Sequence, residues 1–440
     1  MKKKNNIIVN AVNIKKIFIA QKRALISILL ICFVFQLVFY STFNYPSIES
    51  CHGGDAKTYV FPEIYSQKVL PRTPVYPAII AVIKYVSPYE DIPQNIVIVQ
   101  TIIFFISIIF FYKLAILLLK SKIKVTISTI IYGTLPAFLF YNRVIRVESF
   151  SISLFVMFLF IIIKFISSSK IVYGVLSSSM AVILILLRPS FVFLIPCIIV
   201  FWIIKCCDKT NIKKHLTGLL SAVCALVIIL GYCFYNYKNY NDFTLTDIST
   251  YNQLVIAFQS NLYEHGNNDD IISDLSNGIH PHDVFMKYGR TQVSSFVKSV
   301  YLSSPSQYIR YHINIARDLM PTSLFTLGGF RQSENIFFKS NVWGNFGQLL
   351  YAVMSPFTFS FLIILLMLFF VIIIINTIKQ KKLIWDINVL WACVFLQFIT
   401  GLFGAQAEYA RMIVPVIPIV ILLSFRLFTM HRLCISMDKE

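Results

Sequence analysis

Residues 95–115 read NIVIVQTIIFFISIIFFYKLA, an apolar run in which Lys113, near the end, is the one charged residue. A helix needs about 20 apolar residues to cross a hydrocarbon core about 30 Å thick, so this run predicts a transmembrane helix. The same criterion predicts about ten spans along the chain. They lie at 24–41, 95–115, 123–141, 149–166, 171–187, 190–205, 215–235, 350–378, 387–404 and 412–429. The predicted fold class is therefore an all-α polytopic membrane protein.

The composition agrees with a membrane protein. Of the 440 residues, 57% are hydrophobic and 13% are charged. Soluble domains carry about 25% charged residues, so a soluble protein this apolar could not cover its surface. A disordered chain, a disulfide-stapled secreted domain and a cytosolic enzyme are excluded.

The net charge of +19 is explained by membrane topology. With the N-terminus in the cytoplasm, the cytoplasmic segments hold the whole excess of Lys and Arg, and the outer segments are balanced. This is the positive-inside pattern, so both termini are predicted to be cytoplasmic. A nucleic-acid partner is not predicted, because the basic residues follow the membrane edges.

Three regions are expected along the chain. Residues 1–235 form an N-terminal membrane module with a first outer loop at about 42–94, and residues 350–440 hold the last helices. Between spans seven and eight, residues 236–349 form a large extracytoplasmic loop domain. Apolar residues at helical spacing between 291 and 319 predict two helices separated by Pro305, which can lie on the membrane surface.

Arginines and carboxylates lie at the predicted outer ends of the spans, whereas the cytoplasmic ends carry mainly Lys. A charge at membrane depth is costly and is a candidate for function. Because Arg presents a planar fork that suits phosphate, the pattern predicts an outer-leaflet site for an anionic, phosphate-bearing ligand. The outer-edge residues are Asp55, Arg72, Arg143, Arg146, Glu148, Arg188, Glu408 and Arg411.

Two segments of the first outer loop can carry chemistry. In Cys51–Tyr59, CHGGDAKTY, Asp55 and Tyr59 are four apart and share a helix face, so Asp55 can act as a general base or bind a metal. The alternative is a Gly-Gly turn with Asp55 as a helix N-cap. In Leu70–Pro77, LPRTPVYP, prolines set a rigid approach to an apolar helix, and Arg72 and Tyr76 are either ligand-binding residues or interfacial anchors.

A second metal candidate lies in the large loop, but its spacing is irregular. It consists of His265, Asp269, Asp270, His280, His282 and Asp283. Zinc sites have defined ligand spacing, which this segment lacks, so a solvated polar loop is favoured.

Taken together, the short motifs resemble the GT-C glycosyltransferases. Gly54-Asp55-x-x-x-Tyr59 is followed by Arg72-x-Pro-x-Tyr-Pro77, and then by Arg146-Val-Glu148-Ser, Leu187-Arg188-Pro and Glu408-Tyr-Ala-Arg411. The resemblance is to the glycosyltransferase family 39 type, which includes protein O-mannosyltransferases and lipid A aminoarabinose transferases. It covers residues 1–200 and, more loosely, 385–425.

The resemblance implies an inverting transfer of a sugar from a polyprenyl-phosphate donor to an acceptor hydroxyl. Asp55 would be the catalytic base. The donor phosphate would be bound by Arg72, Arg146, Arg188 and Arg411. The acceptor or the other side chains would be supported by Tyr59, Tyr76, Arg143, Glu148 and Glu408.

The expected location is the bacterial cytoplasmic membrane, with the active site on its outer face. The acceptor can be a glycan, lipid A, teichoic acid or a protein. No cofactor is required by the pattern, and a divalent metal at Asp55 stays open.

Two alternatives remain from the sequence. An O-antigen polymerase or ligase is also polytopic, with a large outer loop and functional arginines, but the Gly-Asp and Arg-x-Pro-x-Tyr-Pro segments argue against it. A transporter or lipid flippase should show charges near the middle of the membrane and two similar halves, and this sequence shows few such charges and unlike halves.

Overall fold

The computed structural model describes residues 2–42, 54–61, 72–119, 121–168, 170–207, 212–241, 243–319, 349, 359–380, 385–404 and 409–426. Within these ranges the chain is helical and has no strand, which confirms the all-α class. The described segments that are long and apolar enough to cross a membrane are Gln21–Tyr40, Tyr89–Leu119, Lys122–Arg143, Glu148–Ser168, Pro189–Cys207 and His215–Tyr240. They confirm a membrane protein with several spans. The total of ten stays a prediction, because other predicted spans coincide with shorter apolar helices such as Ile171–Leu187.

The described residues form eighteen α-helices of four residues or more, besides short 3₁₀ turns. In chain order they are α1 (Lys2–Tyr40), α2 (Gly54–Val60), α3 (Val75–Val86), α4 (Ile92–Leu119), α5 (Lys122–Thr134), α6 (Pro136–Arg143), α7 (Glu148–Ser168), α8 (Ile171–Leu187), α9 (Leu194–Cys207), α10 (Ile212–Tyr240), α11 (Ile248–Gln259), α12 (Asp269–Ser276), α13 (Pro281–Ser303), α14 (Pro305–Leu319), α15 (Phe359–Gln380), α16 (Trp385–Gly404), α17 (Tyr409–Ile413) and α18 (417–426).

Prolines divide two of the predicted spans. The span predicted at 123–141 consists of α5 and α6, which meet at Leu135, an extended residue with φ −63° and ψ 118°. Pro136 causes this break, because a residue before proline is pushed out of the helical region and proline is favoured at the start of a helix. In the last predicted span, Pro415 lies in a short 3₁₀ turn between α17 and α18.

Helix α7 is the central helix of the membrane bundle. Of the residues in its apolar stretch, 78% are buried, against 22% in the span Gln21–Tyr40 of α1. It packs against α4, α6, α8 and α16. The large apolar core shared by these helices includes Phe104, Phe155 and Phe191. A charged residue at the start of α7 is therefore enclosed by other helices.

The segment after α10 has its own small core. Side chains of α11, α12 and α13, including Leu254, Phe285 and Phe296, form an apolar cluster separate from the membrane bundle. The division at Pro305 is confirmed, because α13 ends at Ser303 and α14 begins at Pro305. Helix α13 begins earlier than the spacing predicted, at Pro281, and contains a non-helical Gly289 with φ 74°. Positive φ is accessible to glycine at little cost, so the kink falls there.

Candidate functional site

Glu148 is the first residue of α7 and is completely buried. A short turn through Val144 and Val147 connects it to α6, and it lies in the first turn of its helix, where a negative charge is favourable. A buried carboxylate needs a partner of opposite charge, because burial removes its hydration.

Two arginines distant in the sequence share the carboxylate of Glu148. Nη2 of Arg188 lies 3.3 Å from Oε1 of Glu148, and Nε of Arg411 donates a hydrogen bond to the same oxygen. The two arginine side chains are at most 7% exposed. We call Glu148, Arg188 and Arg411 the Glu148 cluster.

Helix ends place the two arginines. Arg188 follows the last residue of α8 and adopts an extended conformation before Pro189, and Arg411 lies in the short α17. Nη2 of Arg188 also lies 3.4 Å from the main-chain oxygen of Arg411 and 2.9 Å from Sδ of Met412. Gln397 of α16 donates a hydrogen bond of 2.9 Å to the main-chain oxygen of Met412. This bond connects α16 to the residue that follows Arg411.

Residues from the first predicted outer loop form a neighbouring aromatic group. Nε of Arg72 donates to Oγ1 of Thr58 at 2.9 Å, and its guanidinium lies 4.8 Å from the ring centre of Tyr59. The rings of Tyr59 and Tyr76 meet edge to face at 4.8 Å. The Tyr76 hydroxyl donates to Oε1 of Gln100 at 2.7 Å, and Gln100 donates in turn to main-chain oxygens at the end of α6.

This aromatic group adjoins the Glu148 cluster. Oγ1 of Thr73 donates to the main-chain oxygen of Leu187 at 3.0 Å, directly before Arg188. The Tyr76 ring lies 5.5 Å from that of Phe150 in the first turn of α7. Tyr59 and Tyr76 thus share an apolar cluster with Phe150 and Leu187, which lie within two residues of Glu148 and Arg188. Arg72 joins this group through its contact with the Tyr59 ring.

Arg143 and Arg146 differ in their surroundings. Arg143, which is 5% exposed, lies with its guanidinium 5.2 Å from the ring centre of Tyr40, a cation–π contact. Arg146 is half-buried and close enough to Glu148 to interact with it electrostatically. Arg146 thus acts on the Glu148 cluster through its charge, and Arg143 connects α6 to α1.

The catalytic base predicted at Asp55 is placed only by its backbone. Asp55 is the second residue of α2, four residues before Tyr59 as the spacing required, and its side chain lies outside the described part of the structure. Glu408 also lies outside the described residues. A role for either residue stays a prediction.

Among the described side chains, no group of three His, Cys, Asp or Glu residues is arranged to hold a metal ion. His280, one of the candidates in the large loop, instead accepts a hydrogen bond at Nδ1 from the main-chain nitrogen of His282 at the start of α13. This histidine has a local structural role as a helix cap.

Sequence analysis missed several polar residues of the site. Tyr141 and Asn142, at the end of α6, are fully buried beside the Glu148 cluster, and Asn142 accepts a hydrogen bond of 2.5 Å from Ser149. The available signal was the polar pair Tyr-Asn directly before Arg143 at the end of an apolar run. Gln100 and Gln397, amides inside apolar helices, gave a similar signal.

No protein-family model matches the sequence, and no curated protein matches it. A solved structure with a similar course of the chain is the archaeal oligosaccharyltransferase AglB from Archaeoglobus fulgidus, in complex with an inhibitory peptide and a dolichol-phosphate. The identity is 12%, the TM-score is 0.42, and the match covers 92% of this chain and 50% of that one. This chain thus spans about half the length of the archaeal protein.

Proposed function

We propose that this protein is a membrane glycosyltransferase that moves a sugar from a polyprenyl-phosphate donor to an acceptor hydroxyl at the outer face of the bacterial cytoplasmic membrane. The observation that carries the proposal is the buried Glu148 cluster, in which Arg188 and Arg411 contact one carboxylate. The family 39 motifs add support, because the same three residues belong to them.

The charge of the cluster favours an anionic ligand. One carboxylate and two guanidinium groups together carry one net positive charge, and Arg146 adds to it. Positive charge held away from water is expensive unless an anion neutralises it. Arginine forks suit phosphate, and Glu148 holds two of them in fixed orientations. A lipid phosphate supplies the negative charge that balances the cluster, and it can reach the cluster from the membrane.

The reaction follows from these assignments. Asp55 accepts the proton of the acceptor hydroxyl, whose oxygen forms a bond to the anomeric carbon of the sugar. The bond between that carbon and the donor phosphate oxygen breaks, and its electron pair stays on the phosphate. Attack from the opposite face inverts the anomeric centre. The leaving polyprenyl phosphate gains one negative charge, which Arg188 and Arg411 stabilise.

The positive-inside pattern supports cytoplasmic termini and an outer active site. Arg72 and Tyr59 then lie on the side from which an acceptor approaches. The acceptor class, whether glycan, lipid A, teichoic acid or protein, is left to experiment.

The test compares cells that lack the protein with cells that carry the wild-type chain or Asp55→Asn. We expect loss of one sugar substituent from the envelope glycans and accumulation of the matching polyprenyl-phosphate sugar, both measured by mass spectrometry. The wild-type chain should restore the substituent and Asp55→Asn should not. Shorter glycans with unchanged sugar content would instead indicate a polymerase and contradict the proposal.

A further inference from the structure

Tyr141 lies in the last turn of α6 and is completely buried. Its hydroxyl is close enough to Glu148, Arg188, Arg411 and Arg146 for their charges to act on it. No part of the catalytic scheme above uses this residue, although it adjoins the Glu148 cluster.

The Tyr141 hydroxyl has no hydrogen-bond partner among the described residues. The same is true of two other buried polar atoms, Nη1 of Arg188 and Oε2 of Glu148, and the charges of these two residues act on the Tyr141 hydroxyl. Buried polar groups in folded proteins are nearly always hydrogen-bonded to protein, water or a bound molecule, so these three atoms are candidates to contact a ligand. Two of the three can donate a hydrogen bond, which suits an acceptor-rich ligand.

We propose that the Tyr141 hydroxyl donates a hydrogen bond to a phosphate oxygen of the lipid-phosphate donor, beside Nη1 of Arg188. The inference rests on the proposed function and adds a residue to it. A phenol supplies a donor without adding to the positive charge of two neighbouring guanidinium groups. The bond strengthens as the phosphate gains charge during transfer, because hydrogen bonds to a developing anion are stronger than those to the ground state.

A purely structural role of the Tyr141 hydroxyl and a role in ligand binding predict different melting temperatures for Tyr141→Phe. If the hydroxyl bonded to Oε2 of Glu148 or to an ordered water in the free protein, its removal would leave a buried group unsatisfied and lower the melting temperature. If its partner is the ligand, Tyr141→Phe removes an unsatisfied hydroxyl. The melting temperature of the ligand-free protein then stays the same or rises.

Tyr132 provides a matched control. It is also fully buried, but its hydroxyl has a protein partner, Oγ of Ser107 at 2.6 Å. Tyr132→Phe should therefore lower the melting temperature of the free protein and leave ligand affinity unchanged. The two variants make the same chemical change in two buried sites.

The experiment uses the purified full-length chain in detergent and measures thermal unfolding with undecaprenyl phosphate, undecaprenol or inorganic phosphate. We expect undecaprenyl phosphate to stabilise the wild-type chain and Tyr132→Phe, and its affinity for Tyr141→Phe to fall about ten- to a hundredfold. Undecaprenol and inorganic phosphate should each stabilise the wild-type chain less.

Three results would overturn the inference. Equal affinity of the wild-type chain and Tyr141→Phe for undecaprenyl phosphate would remove Tyr141 from the site and leave the proposed function intact. A melting temperature of free Tyr141→Phe as low as that of Tyr132→Phe would assign the hydroxyl a structural partner. Failure of undecaprenyl phosphate to stabilise the wild-type chain more than undecaprenol would reject the proposed donor as well.

Discussion

The guanidinium of Arg188 lies 3.3 Å from the carboxylate of Glu148, and both side chains are buried. Arg411 contacts the same oxygen of that carboxylate. The two arginines meet both at Glu148 and through the contact of Arg188 with the main-chain oxygen of Arg411. The carboxylate thus sets the position of both guanidinium groups.

Glu148→Gln should destabilise the protein strongly. Removing one partner of a buried ion pair leaves an uncompensated charge and costs about 3–5 kcal/mol. Glu90→Gln is the control, because Glu90 is exposed and the chemical change is identical. Thermal unfolding in detergent measures both. If the two variants melted at the same temperature, Glu148 would not hold the arginines in place.

Arg188→Lys should weaken binding of the lipid donor while keeping the charge. Lysine is a point charge. It lacks the planar fork with which the guanidinium of Arg188 can contact Glu148 and a phosphate at the same time. Loss of one charge-assisted hydrogen bond raises KM for the donor about ten- to a hundredfold. Arg317→Lys, at a side chain that is 78% exposed, should leave KM unchanged. An unaltered KM in Arg188→Lys would separate this arginine from phosphate binding.

Asp55→Asn should lower turnover without lowering donor affinity. A general base contributes about 10²- to 10⁴-fold to rate, and asparagine cannot accept the proton. Asp91→Asn at an exposed position is the control. The measurement is transfer of labelled sugar in membranes together with binding of undecaprenyl phosphate, the product that shares the lipid phosphate of the donor. Near-normal turnover at equal expression would remove Asp55 from the base role.

The sequence was sufficient to identify the individual charged residues of the site but not to predict which of them contact each other. An ionisable residue at the end of an apolar run is costly at membrane depth and is therefore a candidate for function. This argument identified Glu148, Arg188 and Arg411. That both arginines contact one carboxylate depends on how α8 and the turn Val414–Val416 pack against α7, and no local pattern encodes that packing.

Tyr141 was missed for a physical reason. Tyrosine at the end of an apolar run is usual for packing or for the interfacial belt, so its type carries little information. Its significance arises from complete burial beside three arginines, which only the fold reveals. The core of α11–α13 was predicted only in part: Phe296 and Val300 follow the predicted helical spacing, whereas Leu254 joins them from a distant part of the chain.

A pH effect should appear in the segment outside the membrane bundle. Lys287 and Tyr288 donate hydrogen bonds of 2.7 and 2.8 Å to Oδ2 of Asp274, and these bonds hold the pKa of Asp274 below its ordinary 3.8. Because the folded pKa is lowered, the stabilisation is present above the unfolded pKa and is lost as the pH falls through the folded one. Amide exchange in α12 and α13 should be faster in Asp274→Asn than in the wild-type chain at about pH 6. The difference should vanish as the pH falls below the folded pKa, and a difference that persists there would exclude the carboxylate as its source.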